Sequence, residues 1–151
     1  MADLILPVPH IYQEQGADCL AACSAMVLSF IDRQATYPDL LKILNIQWFG
    51  APFSNIKLLE QLGIQVIYQQ GTLEGLRSHL LDSHPAIVPV FTGELPYTPE
   101  STNHALVVVG MTDHYVYVND PAVKADFIPV PHVDFELAWL ERGEYYAVLL
   151  P

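Results

Sequence analysis

Apolar residues recur along this chain with two distinct periods. Leu20, Cys23, Met26, Val27 and Phe30 repeat at helical spacing, which predicts a helix over 19–32 with that stripe toward the core and Asp18 as its N-cap. A shorter helix is predicted over 38–44, with Pro38 in its first turn. Ser54 is placed to cap a helix through about residue 62, stopped by Gly63. Residues 64–68 read as a strand, and 72–81 as an amphipathic helix with Leu73, Leu76, Leu80 and Leu81 on one face. Pro85 ends that pattern, and the unbroken apolar run 86–91 reads as a buried strand.

A polar loop over 93–103, containing Pro96 and Pro99, separates these elements from the C-terminal third. There the runs 104–110 and 115–120, joined by 111–114, have the form of a β-hairpin. A strand at 127–130, a short helix at 135–141 and a closing strand at 145–150 complete the reading, and residues 1–15 form an extended lead-in held open by Pro7 and Pro9. Helices first and a mostly antiparallel sheet afterwards predict an α+β fold.

The length of 151 residues fits one domain, 1–151, around one core, and 52% apolar residues exclude disorder. The longest apolar runs are 105–110 and 20–31, the second interrupted by Ser24 and Ser29, so neither spans the roughly 18–20 residues a bilayer needs. The N-terminus has no basic region ahead of its short apolar stretch, so no signal peptide is read and the expected location is the cytoplasm. Six Lys and Arg face 17 Asp and Glu, a formal charge of −11, which repels phosphate backbones and argues against nucleic acid as a partner. Such a surface serves solubility, with attraction of a basic peptide as the alternative.

Charge thus removes one class of function, and the cysteines suggest another. Cys19 and Cys23 lie four apart, a spacing of neither a disulfide scaffold nor a C-x-x-C metal or redox pair. A single thiol that does chemistry needs a histidine brought from elsewhere in the chain. Cys19 opens the first long predicted helix, where the helix dipole favours an anionic sulfur, although Asp18 opposes it. Cys23, one turn on, falls on the core side and reads as an inert buried residue.

The predicted hairpin supplies a base and a group to orient it. Symmetric pairing about Thr112 sets His104 opposite Asp120, on one face with Leu106, Val108, Val116 and Val118, while Asn119 points to the other face. That register selects Asp120 over Asn119, and one bulge would exchange the faces. His10, His79, His84, His114 and His132 have no comparable partner at a defined spacing. An oxyanion hole would combine the Cys19 N–H with a side-chain donor from Gln13 or Gln15, a choice these arguments leave open.

The segment Gln13-Glu14-Gln15-Gly16-Ala17-Asp18-Cys19 resembles the first motif of the bacteriocin-processing (C39-like) peptidase family, in the papain-like clan. That family carries a Gln six residues ahead of the Cys, usually with Asp just before it, which implies Gln13 as the oxyanion-hole donor. Its second motif, a His opening an apolar strand, is matched from His104 to Gly110. Its third, an Asp-Pro ending the next strand, is matched by Asn119-Asp120-Pro121, and Leu62-Gly63 is similar as well. The likeness runs from about Val8 to Leu150. It implies a papain-like fold and a cysteine peptidase with Cys19 as nucleophile, His104 as base and Asp120 as orienter. It also implies a peptide or protein substrate and no metal or cofactor.

Two features depart from the family pattern. Leu20 stands where a Gly usually follows the Cys, and the 93–103 loop beside the proposed site is long. The loop reads as a surface insertion, with a lid or exosite as the alternative. Family members are often the N-terminal domain of a transporter that trims its cargo after a Gly-Gly leader. This chain, without membrane helices or a nucleotide-binding domain, reads as a free-standing member, to which a separate transporter or partner protein would bring any Gly-Gly substrate. Leu20 keeps a non-catalytic peptide-binding module as the alternative, and the same triad would serve a transpeptidase or amidase. A metal site from Cys19, Cys23 and His104 has too few ligands.

Overall fold

The computed structural model describes residues 4–151, so the first residues of the extended lead-in, 1–3, lie outside the described residues. The chain forms β1 (Leu4–Ile5), α1 (Cys19–Phe30), α2 (Tyr37–Ile43), a 3-10 helix (Phe53–Leu62), β2 (Gln65–Gln70), α3 (Leu73–Leu81) and β3 (Ala86–Phe91). It continues through a 3-10 turn (Thr92–Glu94), β4 (Asn103–Met111), β5 (Tyr115–Asn119), β6 (Ile128–Pro131), α4 (His132–Leu140) and β7 (Tyr145–Leu150). The strands form one sheet in the order β2-β7-β3-β4-β5-β6, with every pairing antiparallel. β1 takes up the line of β3 beyond its last pair, Ala86 with Val108, by pairing Leu4 with Met111 and Ile5 with Gly110. The α+β expectation holds.

α1 is apolar on nearly every side, and Leu20 through Ser24 and Met26 through Leu28 are buried. A helix of that kind belongs inside a fold, not on its surface. It packs along β4, whose residues Ala105–Met111 are all buried. Both faces of the central strand are covered, which is why it reads as a continuous apolar run instead of an alternating one.

Several elements depart from expectation for local reasons. Thr36 caps α2 by accepting from the Asp39 N–H at 3.2 Å, and Thr72 caps α3 through Gly75 N–H at 3.0 Å, so Thr72 is not itself helical. Ser54 caps nothing: the segment starts after Pro52 and winds as a 3-10 helix. Its inward apolar residues Phe53, Ile56, Leu59 and Leu62 fall every third position, with Leu58 exposed, which matches a period of 3.0 residues per turn and not 3.6. Gly63 ends it with φ 81°, a left-handed position that suits glycine. Leu81 lies on the surface of α3, outside the predicted core face, and α4 begins at His132, ahead of the predicted start at Phe135. Trp139 of α4 is fully buried and donates its indole N–H to Tyr145 O at 2.7 Å, fixing the turn between α4 and β7. Truncating such a residue to Ala costs about 3–5 kcal/mol.

The β4–β5 hairpin corrects the symmetric register. Its turn closes with Thr112 N–H to Tyr115 O at 2.8 Å, and Met111 pairs with Val116 and Gly110 with Tyr117. This phasing pairs odd positions with even ones and would set Asn119 on the face of His104. A bulge then shifts the ladder, so that Val108 pairs with Val118 and Val107 with Asn119. The extra residue, Val109, returns His104 and Asp120 to a common face, with Leu106 in place of His104 directly across from Asp120. Gly110 is required beside the bulge, since a Cβ there would lie 2.5 Å from Leu4 O and 2.9 Å from the Ile5 Cα. Among the described residues no helix is long and apolar enough to cross a membrane.

Candidate active site

The stretch between β1 and α1 is fastened to the end of β5 by three hydrogen bonds. Asn119 Nδ2 donates to Val8 O at 3.1 Å, the His10 ring Nε2 bonds Asp120 O at 2.7 Å, and Gln13 N–H donates to Pro121 O at 2.9 Å. Asn119 is buried and its Oδ1 also accepts from Phe127 N–H at 2.9 Å, so its amide is a strut on the far face and not an orienter of the imidazole. These ties bring the head of α1 to the end of β5, although a hundred residues of chain separate them.

A tight turn delivers the chain into α1. Gln13 Nε2 donates to Gln15 O at 3.0 Å and to Gly16 O at 3.1 Å. Asp18 does not cap α1 with its side chain. It sits at φ −94° and ψ 11°, and its Oδ2 accepts from Gln15 N–H at 3.1 Å and from the Tyr37 hydroxyl at 3.2 Å. Burial and the Asp18 carboxylate push the Tyr37 hydroxyl pKa up, so it remains a donor at neutral pH. Asp18 is thus occupied within the turn, and the Cys19 N–H, in the first turn of α1, has no intrahelical acceptor. The Cys19 side chain is half-buried, whereas Cys23 is sealed from solvent. Burial first, then the charges of Cys19 and Asp120, push the Cys23 thiol well above its ordinary range.

Across the cleft, His104 Nε2 lies 2.7 Å from Asp120 Oδ1, with side-chain exposures of 9% and 2%. The ring nitrogen left over is Nδ1. Burial alone would pull the His104 pKa down. Hydrogen bonding to Asp120 and Cys19, with the charges of both, outweighs burial and pushes it up to about 9. Asp120 shows the opposite balance. Burial favours its neutral form, but the bonds and charge of His104, the Tyr97 hydroxyl and the Ala122 N–H together hold its carboxyl below the usual range. Tyr97 donates to Oδ2 at 2.6 Å and Ala122 N–H to Oδ1 at 2.8 Å, so each carboxylate oxygen has partners.

Cys19 and His104 line one cleft of about 840 Å³. The head of α1 forms one wall and the ends of β3 and β4 the other, with Arg142 beside them. Trp48 and Phe49 stand at its rim, 90% and 67% exposed, edge to face at 5.3 Å. Gln15 lines this cleft and Gln13 does not, its Nε2 being turned to the two backbone carbonyls. Leu20 borders the cleft but packs into the core. Among the described residues no cluster of three His, Cys, Asp or Glu is placed to hold a metal ion.

The sequence reasoning missed Tyr97 and Arg142. Tyr97 belongs to the 93–103 loop, read above as an insertion. Its neck is closed by Thr92 N–H to Thr102 O at 2.9 Å and Thr102 N–H to Thr92 Oγ1 at 2.9 Å, and Leu95 is buried inside. One available signal was an aromatic residue within a polar loop. For Arg142 it was a cation in a chain with few of them.

The fold is that of the papain-like peptidases, with the head of α1 on one side of the cleft and residues of β3 and β4 on the other. The chain belongs to the Peptidase_C39 like family, whose model matches residues 5–147. Solved structures of similar fold include a C39-like peptidase from Bacillus anthracis, at TM-score 0.82 and 18% identity over 100% of this chain and 98% of that one. A double glycine motif protease from an AMS/PCAT transporter, in complex with the leader peptide, matches at TM-score 0.78 and 21% identity, covering 100% and 99%. The peptidase domain of Streptococcus ComA, a bi-functional ABC transporter of a quorum sensing pathway, matches at TM-score 0.77 and 17% identity, covering 95% and 98%. No curated protein matches the chain in sequence.

Proposed function

We propose that the chain is a cysteine peptidase in which Cys19 is the nucleophile, His104 its base and Asp120 the orienter. The observation that carries this reading is the 2.7 Å contact of His104 Nε2 with a buried carboxylate, on a ring that shares its cleft with the half-buried Cys19. The Cys19 proton rests on His104 Nδ1 before attack, in the imidazolium form that persists to about pH 9, and the sulfur attacks the scissile carbonyl. The Cys19 N–H and Gln13 Nε2 donate to the oxyanion, for which Gln13 must release one of its two backbone carbonyls. One such donor is worth about 10²–10³ in rate. The C–N bond then breaks as His104 protonates the leaving amine, and water, deprotonated by His104, hydrolyses the thioester.

Leu20 was the feature that kept a non-catalytic module open. Its side chain is 3% exposed and leaves the neighbouring sulfur accessible, which favours catalysis. The structural likeness to a double glycine motif protease supports a peptide cleaved after Gly-Gly, and two unpaired cysteines suit the reducing cytoplasm. A separate transporter or partner protein would supply such a substrate. Digestion of a peptide library by the parent and by Cys19→Ala tests the assignment. The parent should cut a defined subset and the variant none, and equal cleavage by both would remove Cys19 from the mechanism. Added amine nucleophiles distinguish hydrolysis from transfer.

A further inference from the structure

We infer that Arg142 is an anchor for a carboxylate on the leaving-amine side of the substrate, an inference that rests on the peptidase reading above. Among the described residues, Arg142 is the one Lys or Arg that lines the cleft. The chain has six such cations, and four of the others are already engaged within the fold: Arg33 with Leu62 O at 2.7 Å, Arg77 with Asp113 at 4.0 Å, Lys57 over the Tyr68 ring and Lys124 over the Tyr12 ring. Arg142 is half-buried and pairs with no carboxylate among the described residues. Among the described residues its one side-chain hydrogen bond is a long 3.5 Å contact from Nη1 to Val90 O. A guanidinium offers five donors in a planar fork that matches a carboxylate, and partial burial without a counter-ion is unfavourable. The acidic residue lining the same cleft, Asp18, has its Oδ2 committed to Gln15 and Tyr37. The fork is therefore left for a ligand.

The position of Arg142 gives the side of the substrate it would hold. Val90, which the guanidinium touches, pairs with His104 across β3 and β4. His104 must protonate the departing amine, so the fragment carrying that amine lies along the imidazole wall, where Arg142 is. The turn that bears Arg142 is fixed by Arg142 N–H to Trp139 O at 3.0 Å and Glu144 N–H to Trp139 O at 3.1 Å, so the backbone that carries the fork is set before a ligand arrives. Burial lowers the guanidinium pKa while the Cys19 charge opposes that. The carboxylate has two sources, an Asp or Glu side chain shortly after the scissile bond or the terminal carboxylate of a short peptide.

The test uses quenched fluorescent peptides with a Gly-Gly bond, paired as Glu and Gln at successive positions after it, each with a free or an amidated C-terminus. The parent should favour the charged member by about 10- to 100-fold in kcat/KM, the range of a charge-assisted hydrogen bond. Arg142→Gln should bring that ratio near one, and Arg142→Lys should restore part of it. A Glu-over-Gln ratio assigns the side chain, and an acid-over-amide ratio assigns the chain terminus. Binding of the same peptides to Cys19→Ala, followed by Trp48 fluorescence, reads the anchor whether or not the parent cuts. Charge preference in binding without cleavage keeps the anchor and ends the peptidase reading. Cleavage or binding with no charge preference in the parent, or an equal preference in Arg142→Gln, overturns the anchor alone. So does an Arg142→Gln effect confined to the pH profile of Cys19 alkylation, which would make the residue a partner of the sulfur.

Discussion

The Tyr97 hydroxyl donates to Asp120 Oδ2 at 2.6 Å, while His104 takes Oδ1 at 2.7 Å, so the carboxylate is gripped at both oxygens. Burial, followed by the charge of Asp120, pushes the Tyr97 hydroxyl pKa far up, and it stays protonated across the whole working range of pH. A donor that cannot ionise fixes the plane of the carboxylate, and the carboxylate in turn fixes the imidazole. The 93–103 loop is in this sense neither a lid nor a tolerated insertion. It carries a positioning residue for the proposed triad.

Tyr97→Phe keeps the ring and removes the grip. Leaving a charged acceptor short of one buried donor costs about 1–3 kcal/mol. If about half of that falls on the transition state, kcat drops about 3- to 10-fold with little change in KM. A purely structural role would lower the melting temperature without moving a pH profile. Loss of the Tyr97 bond, which depresses the Asp120 carboxyl, should instead shift the acid limb of kcat to higher pH. An unchanged acid limb in a folded Tyr97→Phe enzyme would falsify the positioning role.

The raised pKa of His104 sets the alkaline limb. Its pKa moves from the ordinary 6.5 to about 9, so the stability contributed by the imidazolium is complete below about 6.5 and is lost as pH rises through about 9. The Asp120 contribution has the opposite sign, present above about 3.8 and lost as pH falls through its depressed value. The pair therefore stabilises most between those limits. Activity should fall on the alkaline side near pH 9 as the proton for the leaving amine is lost. Asp120→Asn removes the charge that raises His104 and should move the alkaline limb to lower pH. Stopped-flow kcat/KM profiles of both proteins decide it, and coincident limbs would separate Asp120 from His104.

The two cysteines should behave as different reagents despite lying one turn apart. Cys19 is half-buried at the cleft, and Cys23 is fully buried with a raised thiol pKa. Iodoacetamide should label the native protein once, at Cys19, and reach Cys23 only on unfolding. Peptide mapping by mass spectrometry reads the site. Cys23→Ala should retain activity and lose roughly 1 kcal/mol from the small void it leaves. Native labelling at Cys23 would mean that α1 opens far more readily than its packing suggests.

Much of this arrangement was legible from residue order. Strands β3 and β7 occupy the predicted spans, while His104 and Asp120 lie 2.7 Å apart and Cys19 lines the same cleft as His104. What was not legible depended on competition at a distance. Asp18 looks like a cap until Tyr37, 19 residues away, claims its carboxylate. The 3-10 winding of Phe53–Leu62 follows the spacing of threes from Phe53 through Ile56 and Leu59 to Leu62, which the adjacent Leu58 masks as an ordinary helical pattern. Arg142 and Tyr97 carry no periodic signal, because loops and turns place them and the partners they meet are remote in sequence. The symmetric register that selects Asp120 over Asn119 differs from the observed one, and the bulge at Val109 restores the shared face of His104 and Asp120.

That bulge can be tested at Gly110. A Cβ at this position would lie 2.5 Å from Leu4 O and 2.9 Å from Ile5 Cα, both backbone atoms that cannot swing aside as a side chain would. Gly110→Ala must displace β1 or flatten the bulge, and overpacking of this kind costs about 1–3 kcal/mol. The two responses differ at the site. If β1 moves, the lead-in stays tied to Asn119, Asp120 and Pro121, stability falls and kcat is preserved. If the ladder relaxes toward the register of the turn, Asp120 leaves the face of His104 and Asn119 approaches it, so kcat collapses along with the alkaline limb near pH 9. We expect the first outcome, because Asn119 is held on the far side by Val8 O at 3.1 Å and Phe127 N–H at 2.9 Å, bonds that a register change would break together. Thermal melts and kcat measured on the same preparation separate the two, and Asn119→Ala combined with Gly110→Ala should convert the first response into the second.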